Sequence, residues 1–257
     1  MCNIGERGIR LRTTEFGTGV FRVVASILPS NAEELTIQLA EAFSSGADAV
    51  ELRTRNCADL AGFAKAVKEL DEFDKQDKAL ILNIDETGSD LMHAEADLCQ
   101  LTLEVMEKGL TDAVDIPCCF EKEAANEISA AARTAGVCLI RSARVYAGIA
   151  SEQAAVEKVK EMSKEHADMI RLEYLANDDL DLIKGARAAR RLKEEKLINM
   201  PFCISLLGDV GLMYRVLAER CGNDFGYAVL KSGAEDMLLE TVEQNGILRE
   251  IFKREAM

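Results

Sequence analysis

AGVCLIRSARVYAGIASEQAAVEKVKEMSKEHADMIRLEY, residues 135–174, holds one full turn of the pattern that decides the fold. It opens on a short apolar run, VCLIRSAR (137–144), and passes Ser151, a helix N-cap residue. The helix-patterned EQAAVEKVKEMSKEH follows, and then a second strand-like run, DMIRLEY (168–174). Working outward, six more such runs alternate with helical stretches: FRVVASI (21–27), AVELRT (49–54), ALILNID (79–85), AVDIP (113–117), PFCISLL (201–207) and GYAVL (226–230). GADAV, AGVCL and HADMI each end a helix and start a strand within two or three residues. Ser30-Asn31 caps AEELTIQLAEAF, and Ser89 or Asp90 caps LMHAEADLCQLTLEVMEK. Alternation of this kind implies parallel strands with right-handed crossovers. Eight units without a Pro/Gly/Ser-rich linker favour closure into a single (β/α)8 TIM barrel domain over residues 1–257, rather than an open sheet. No GxGxxG follows the first strand, which removes the usual dinucleotide-binding alternative. Residues 8–19, GIRLRTTEFGTG, read as a short N-terminal hairpin before the barrel.

Composition narrows the function. A net charge of −14 and a pI near 4.8 argue against nucleic acid, which wants a basic face. No apolar run approaches a membrane span, and the N-terminus is charged where a signal peptide needs an apolar stretch. Most of the eight cysteines lie in apolar runs, such as Cys99, Cys138 and Cys203, so buried free thiols and a cytoplasmic setting are expected. Cys118-Cys119 lacks CxxC spacing, and with only His93 and His166 no zinc set assembles, so no metal or other cofactor is expected.

In such barrels the site lies at the C-terminal ends of the strands, where polar residues are the informative ones. The second strand ends in Glu51-Leu52-Arg53, the third in Asn83-Ile84-Asp85, the fifth in Ser142-Ala143-Arg144, and the sixth carries Arg171-Leu172-Glu173. Members of each pair are two residues apart and share a face of the strand. Arg215 follows in the helix after the seventh strand, and Ser232 lies just past the eighth. One reading is a buried ion-pair network, with Glu51–Arg53 and Arg171–Glu173 neutralising each other. The other is functional: a surplus of about two positive charges at one barrel mouth calls for an anionic partner, and the guanidinium fork suits a carboxylate or phosphate. The parity of Arg141 turns it towards the helices.

VFRVVASI…GADAVELRTR resembles the opening of type I 3-dehydroquinate dehydratases, in which a Ser closes strand one and a Glu-x-Arg closes strand two. Ser26, Glu51 and Arg53 occupy those positions. LLGDVGLMYRVLAERCGNDFGYAVLKSG resembles the family's closing segment, which makes Arg215 the substrate-carboxylate Arg and Ser232 the late-loop Ser. The resemblance implies a barrel that dehydrates 3-dehydroquinate through a Schiff base, with a Lys on strand six and a His on strand five. Here the Lys position falls on Arg171 and the His position on Arg144. Arg stays protonated, so it neither forms an imine nor acts as a general base near pH 7. The family's strand-three Arg falls on Asn83, its nearby acid on Asp85 or Glu86, and its late-loop Gln near Glu235 or Asp236. A homodimer is also implied.

Two functions remain open. One is an imine-free lyase or isomerase for a small polyhydroxylated carboxylate or phosphate, with Arg144 and Arg171 stabilising charge and Glu51, Glu173 or Asp85 as base. The other is a non-catalytic paralogue that binds a related small anionic metabolite or serves as a partner or regulatory subunit. Lys231, Tyr146, His93 and His166 have simpler readings as loop, packing or surface residues.

Overall fold

The computed structural model describes residues 2–3, 8–55, 62, 65, 78–84, 94–231, 241–244, 246–247 and 250. Eight parallel strands alternate with helices in a nearly closed barrel: β4 (Arg22–Ile27), β5 (Ala49–Arg53), β6 (Ala79–Asn83), β7 (Ala113–Pro117), β8 (Cys138–Val145), β9 (Met169–Leu175), β10 (Phe202–Leu207) and β11 (Phe225–Val229). The described helices are α1 (Ala32–Ser44), α2 (Glu95–Glu107), α3 (Lys122–Ala135), α4 (Glu152–Met162), α5 (Asp179–Glu194) and the short α6 (Gly211–Val216). Each of the eight strand-like runs of the sequence becomes one barrel strand. The expected caps hold where they are described. Asn31 accepts from Glu34 N while Glu34 reaches back to Ser30, and Ser151 accepts from Ala154 N. Ser89 and Asp90 lie outside the described residues.

A small antiparallel sheet precedes the barrel: β1 (Cys2–Asn3), β2 (Ile9–Leu11) and β3 (Thr14–Phe16). The hairpin within residues 8–19 is therefore as expected, with an added strand from the extreme N-terminus. Ile9, Leu11 and Phe16 pack with the inward-facing Val24, Ala49, Ala79, Ala113, Cys138 and Phe225. They fill the lower barrel, where the strands supply small residues.

The same lower rim carries a four-fold device. Asp48, Asp112, Asp168 and Asp224 each stand immediately before an alternate strand. Each accepts the backbone N–H of a residue near the start of the preceding strand: Val23 at 2.8 Å, Leu80 at 2.9 Å, Leu139 at 2.8 Å and Phe202 at 3.1 Å. Carboxylates thus satisfy donors that the ladder leaves open. Arg22, Arg12 and Lys193 neutralise three of them.

The seam lies between β10 and β11. Side chains stitch it, since Ile204 N donates to Asn223 Oδ1 at 2.6 Å and Phe202 N donates to Asp224 Oδ2, and one backbone bond, Asp224 N to Phe202 O at 3.0 Å, joins them. Asn223 also donates to Tyr214 Oη and Ala218 O. Asn223→Ala should strand a buried N–H and cost about 1–3 kcal/mol, read as a lowered urea midpoint with an unchanged m-value. An unchanged midpoint would show that the seam does not depend on this amide. No helix among the described residues is long and apolar enough to cross a membrane.

Candidate functional site

Inward parity puts Ser26, Glu51, Arg53, Asn83, Ser142, Arg144, Arg171 and Glu173 on the barrel-facing side of their strands, above the apolar plug. Neighbouring registers join Ser26 to Glu51, Arg53 to Asn83, Ser142 to Arg171, and Arg144 to Glu173. Asp115, on β7, sits beside Asn83 in the same layer. Its signal in the sequence, absent from the polar pairs named above, is a carboxylate in the middle of AVDIP, two residues from the inward Ala113.

Arg171 is the centre. Its side chain is 2% exposed, and it meets two carboxylates that are fully buried. Nη1 donates to Glu51 Oε1 and, at 3.3 Å, to Asp115 Oδ2; Nη2 donates to Glu173 Oε1 at 2.8 Å. The guanidinium carbon lies 3.9 Å from the centre of the Tyr227 ring, a cation–π contact from β11. Arg144 holds the other oxygen of Glu173 through Nε and Nη2, at 3.0 and 2.9 Å. Glu51 is saturated further by Ser26 Oγ at 2.6 Å and Asn83 Nδ2 at 2.9 Å, and the same Asn83 nitrogen donates to Asp115 Oδ2 at 2.9 Å.

These contacts set the ionisation of the acids. Burial alone would raise Glu173, but Arg171 and Arg144 outweigh it and hold the carboxyl down at about 2. Asp115 goes the other way. Burial dominates and Glu51 and Glu173 add repulsion, so Arg171 and Ser142 leave it pushed up to about 6. Arg171 itself is held far above its ordinary range, since Glu173 and Glu51 more than offset its burial. Burial pushes the Tyr227 and Cys203 protons up as well.

Some sequence expectations change. The surplus of about two positive charges counted Glu51 and Glu173 alone, and Asp115 cancels one of them. Arg215 was expected to converge with Arg53, Arg144 and Arg171 on one cavity. Its Nη1 instead donates to the carbonyls of Leu206 and Gly208, and its side chain lines a small recess at the β10–β11 seam with Ser205 and Tyr227. Gly211 permits this close approach, because a Cβ there would fall 2.0 Å from Leu206 O. Arg53 is buried at the end of β5. Arg141 does face the helix layer, paired with Glu165 at 2.9 Å. Lys231 turns to Glu41 on α1, and Tyr146 and His166 are exposed. Asp85, Glu86, His93, Ser232, Glu235 and Asp236 lie outside the described residues.

A parallel eight-stranded barrel with buried charges gathered towards the C-terminal ends of its strands has the layout of a barrel enzyme. The sequence pattern of the type I 3-dehydroquinase family matches residues 23–254, and the chain belongs to that family. It is similar to 3-dehydroquinate dehydratases of Alkaliphilus oremlandii, 23% identical over 96% of this chain and 98% of the relative, and of Enterococcus faecalis, 21% identical over 91% and 98%. Among solved structures, 3-dehydroquinate dehydratase from Geobacillus kaustophilus has the same fold, with a TM-score of 0.88, 14% identity and full coverage of both chains.

Proposed function

We propose that this chain is a member of its family that binds a small polyhydroxylated carboxylate or phosphate at the barrel mouth without forming an imine. The observation that carries the reading is the guanidinium of Arg171 in the place where the family resemblance puts the reactive lysine. Three carboxylates fix it in a closed, buried cluster. Such a group has no nucleophilic lone pair, and the contacts describe an ion-pair centre. Arg144, 14% exposed, stands at the solvent side of that centre. With Arg53 and the Ser26 and Ser142 hydroxyls it supplies donors of the kind a hydroxylated anion needs. Asn83, Asp85 and Ser232 complete the proposed set by sequence position.

The cluster also weighs between the two functions. Glu173 is held too acidic to accept a proton near neutrality, and both oxygens of Glu51 are already engaged. Binding therefore outranks catalysis by either acid. A second reading, an imine-free lyase or isomerase, is favoured by one observation: Asp115 has a carboxyl poised near 6, suited to proton transfer.

Thermal unfolding against phosphate, sulfate, citrate, quinate and shikimate tests the proposal. At a hundred times Kd, a bound anion should add about 2.7 kcal/mol, which raises Tm by several degrees in a chain of this size. The stabilisation should weaken as salt rises. If none of the five shifts Tm, the binding reading falls. Turnover of dehydroquinate without a trapped adduct would promote the second reading over the first.

A further inference from the structure

We propose that the outer face formed by α5 and the first turn of α6 is the surface on which a second copy of this chain docks, with the two α5 helices antiparallel across a twofold axis. Apolar side chains scattered singly over a surface need no explanation, but a concentration of them does. Nine large apolar side chains are exposed among the described residues, and four of them, Leu180, Ile183, Leu212 and Met213, lie on the first two turns of α5 and the first turn of α6. Each is between 42% and 60% exposed. The two helices are neighbours, since a Cβ at Gly185 of α5 would stand 3.2 Å from the Tyr214 ring of α6. The row that α5 buries in its own barrel runs through Asp181, Gly185, Ala188, Ala189 and Leu192. Leu180 and Ile183 lie off that row, so the core makes no use of them.

Charge selects the occupant. The chain carries a net charge of −14, so two copies repel each other unless the faces that meet complement one another. The helix α5 is such a face. It holds five Lys/Arg and three Asp/Glu; Asp179 opens it, and Lys184, Arg187, Arg190 and Arg191 follow. A helix with its charges ordered in this way complements itself when turned end for end, as a twofold interface requires. Asp179, Ile183 and Arg187 stand four residues apart on one exposed row. Antiparallel pairing centred on Ile183 sets that residue against its counterpart and brings Asp179 of each copy to Arg187 of the other. Two ion pairs then flank an apolar centre, which Leu180, Leu212 and Met213 extend. Arg187 touches Glu152 at 2.8 Å within the chain but is 71% exposed, so its guanidinium keeps donors for a second carboxylate. The face is also fixed in advance. Asp178 caps the helix through Leu180 N and Asp181 N, and Asp181 accepts from Ile149 N and Asn177 N at 3.0 and 2.9 Å. Little order therefore has to be gained on docking.

Sedimentation equilibrium of the full chain tests the docking without any ligand, and so stands or falls separately from the anion-binding reading. At micromolar concentration the mass should be twice 28.2 kDa. Ile183→Asp should weaken association about thirtyfold or more, with helix and strand content unchanged in circular dichroism, because the side chain lies outside the buried core. Asp179→Arg and Arg187→Asp should each weaken it too, by setting like charges opposite one another. The two together should restore the dimer, a rescue that belongs to the antiparallel register. Should Ile183→Asp fail to fold, the charge-swapped pair decides. A parent chain that stays monomeric, a dimer that Ile183→Asp leaves intact, or a folded double variant that remains monomeric overturns the proposal.

Discussion

Arg171→Met should be the most damaging single substitution in the barrel, with a stability loss of about 3–5 kcal/mol. The side chain it removes is the common partner of Glu51, Asp115 and Glu173, and no water reaches the first two. Methionine fills part of the volume but leaves carboxylates desolvated and facing each other. Only Arg144 remains in contact with Glu173. The loss corresponds to roughly 10 °C in Tm for a chain of this length. It should also depend on pH in a definite sense. Glu173, depressed to about 2 in the folded protein, contributes stability above its ordinary range that disappears as pH falls. Without Arg171 that contribution goes, and the deficit is deepest at neutral and alkaline pH. Acid should narrow it, because protonated carboxyls no longer repel. Adding Glu51→Gln and Asp115→Asn to Arg171→Met should recover much of the lost stability, since a cluster replaced whole costs less than a cluster broken. Denaturant midpoints of the single and triple variants at pH 5 and pH 8 decide the matter. A single variant within 1 kcal/mol of the parent would remove the cluster from its place at the centre of the fold.

The barrel was legible because parallel strands covered on both faces leave a strong mark: short apolar runs, each a fixed distance from an amphipathic helix. VCLIRSAR became β8 and DMIRLEY became β9 with ends shifted by one residue. GADAV and HADMI were read as helix-to-strand junctions, and the structure adds the reason for their aspartates. Asp48 and Asp168 belong to the four-fold set that caps neighbouring strands, as do Asp112 in TDAV and Asp224 in NDFG. That role is invisible in one dimension, since the N–H each one accepts lies 22 to 32 residues away. The seam was illegible for the same reason. Only closure of the barrel turns the side chains of Asn223 and Asp224 into rungs, to Ile204 N and Phe202 N.

The site was half legible. Spacing of two along a strand put Glu51 with Arg53 and Arg171 with Glu173 on inward faces, which holds. Spacing says nothing about partner choice. Glu51 makes a cross-barrel contact with Arg171, 120 residues apart, which no local spacing announces. Arg215 shows the converse limit. Its place in the closing segment matched the resemblance, but the direction of its guanidinium depends on how closely Gly211 lets α6 approach Leu206. Asp115 was readable and unread: a lone acid in a five-residue apolar strand is a signal of the same kind as Asn83 in ALILNID.

Borohydride reduction in the presence of 3-dehydroquinate should leave the intact mass of this protein unchanged, in contrast to the imine-forming chemistry the family resemblance implies. The guanidinium at position 171 is locked in charge by Glu173 and Glu51 and holds no free electron pair. Among the described lysines, Lys231 just past β11 is engaged with Glu41, and Lys184 on α5 with Asp181 and Ile149 O, so both are tied to groups outside the carboxylate cluster. The informative variant is Arg171→Lys with Arg144→His. A lysine there would inherit Glu51, Asp115 and Glu173 as neighbours, and three acids favour the ammonium over the amine. Imine formation needs the amine. The double variant should therefore trap little adduct at neutral pH, with a yield that climbs about tenfold per pH unit as the ammonium titrates at alkaline pH. Adding Asp115→Asn should move that climb to lower pH, because one of the charges holding the proton is gone. Trapping on any lysine of the unmodified protein, with turnover, would refute the imine-free reading. Silence from both variants up to pH 10, with folding intact, would mean that the substrate frame has diverged along with the two catalytic positions.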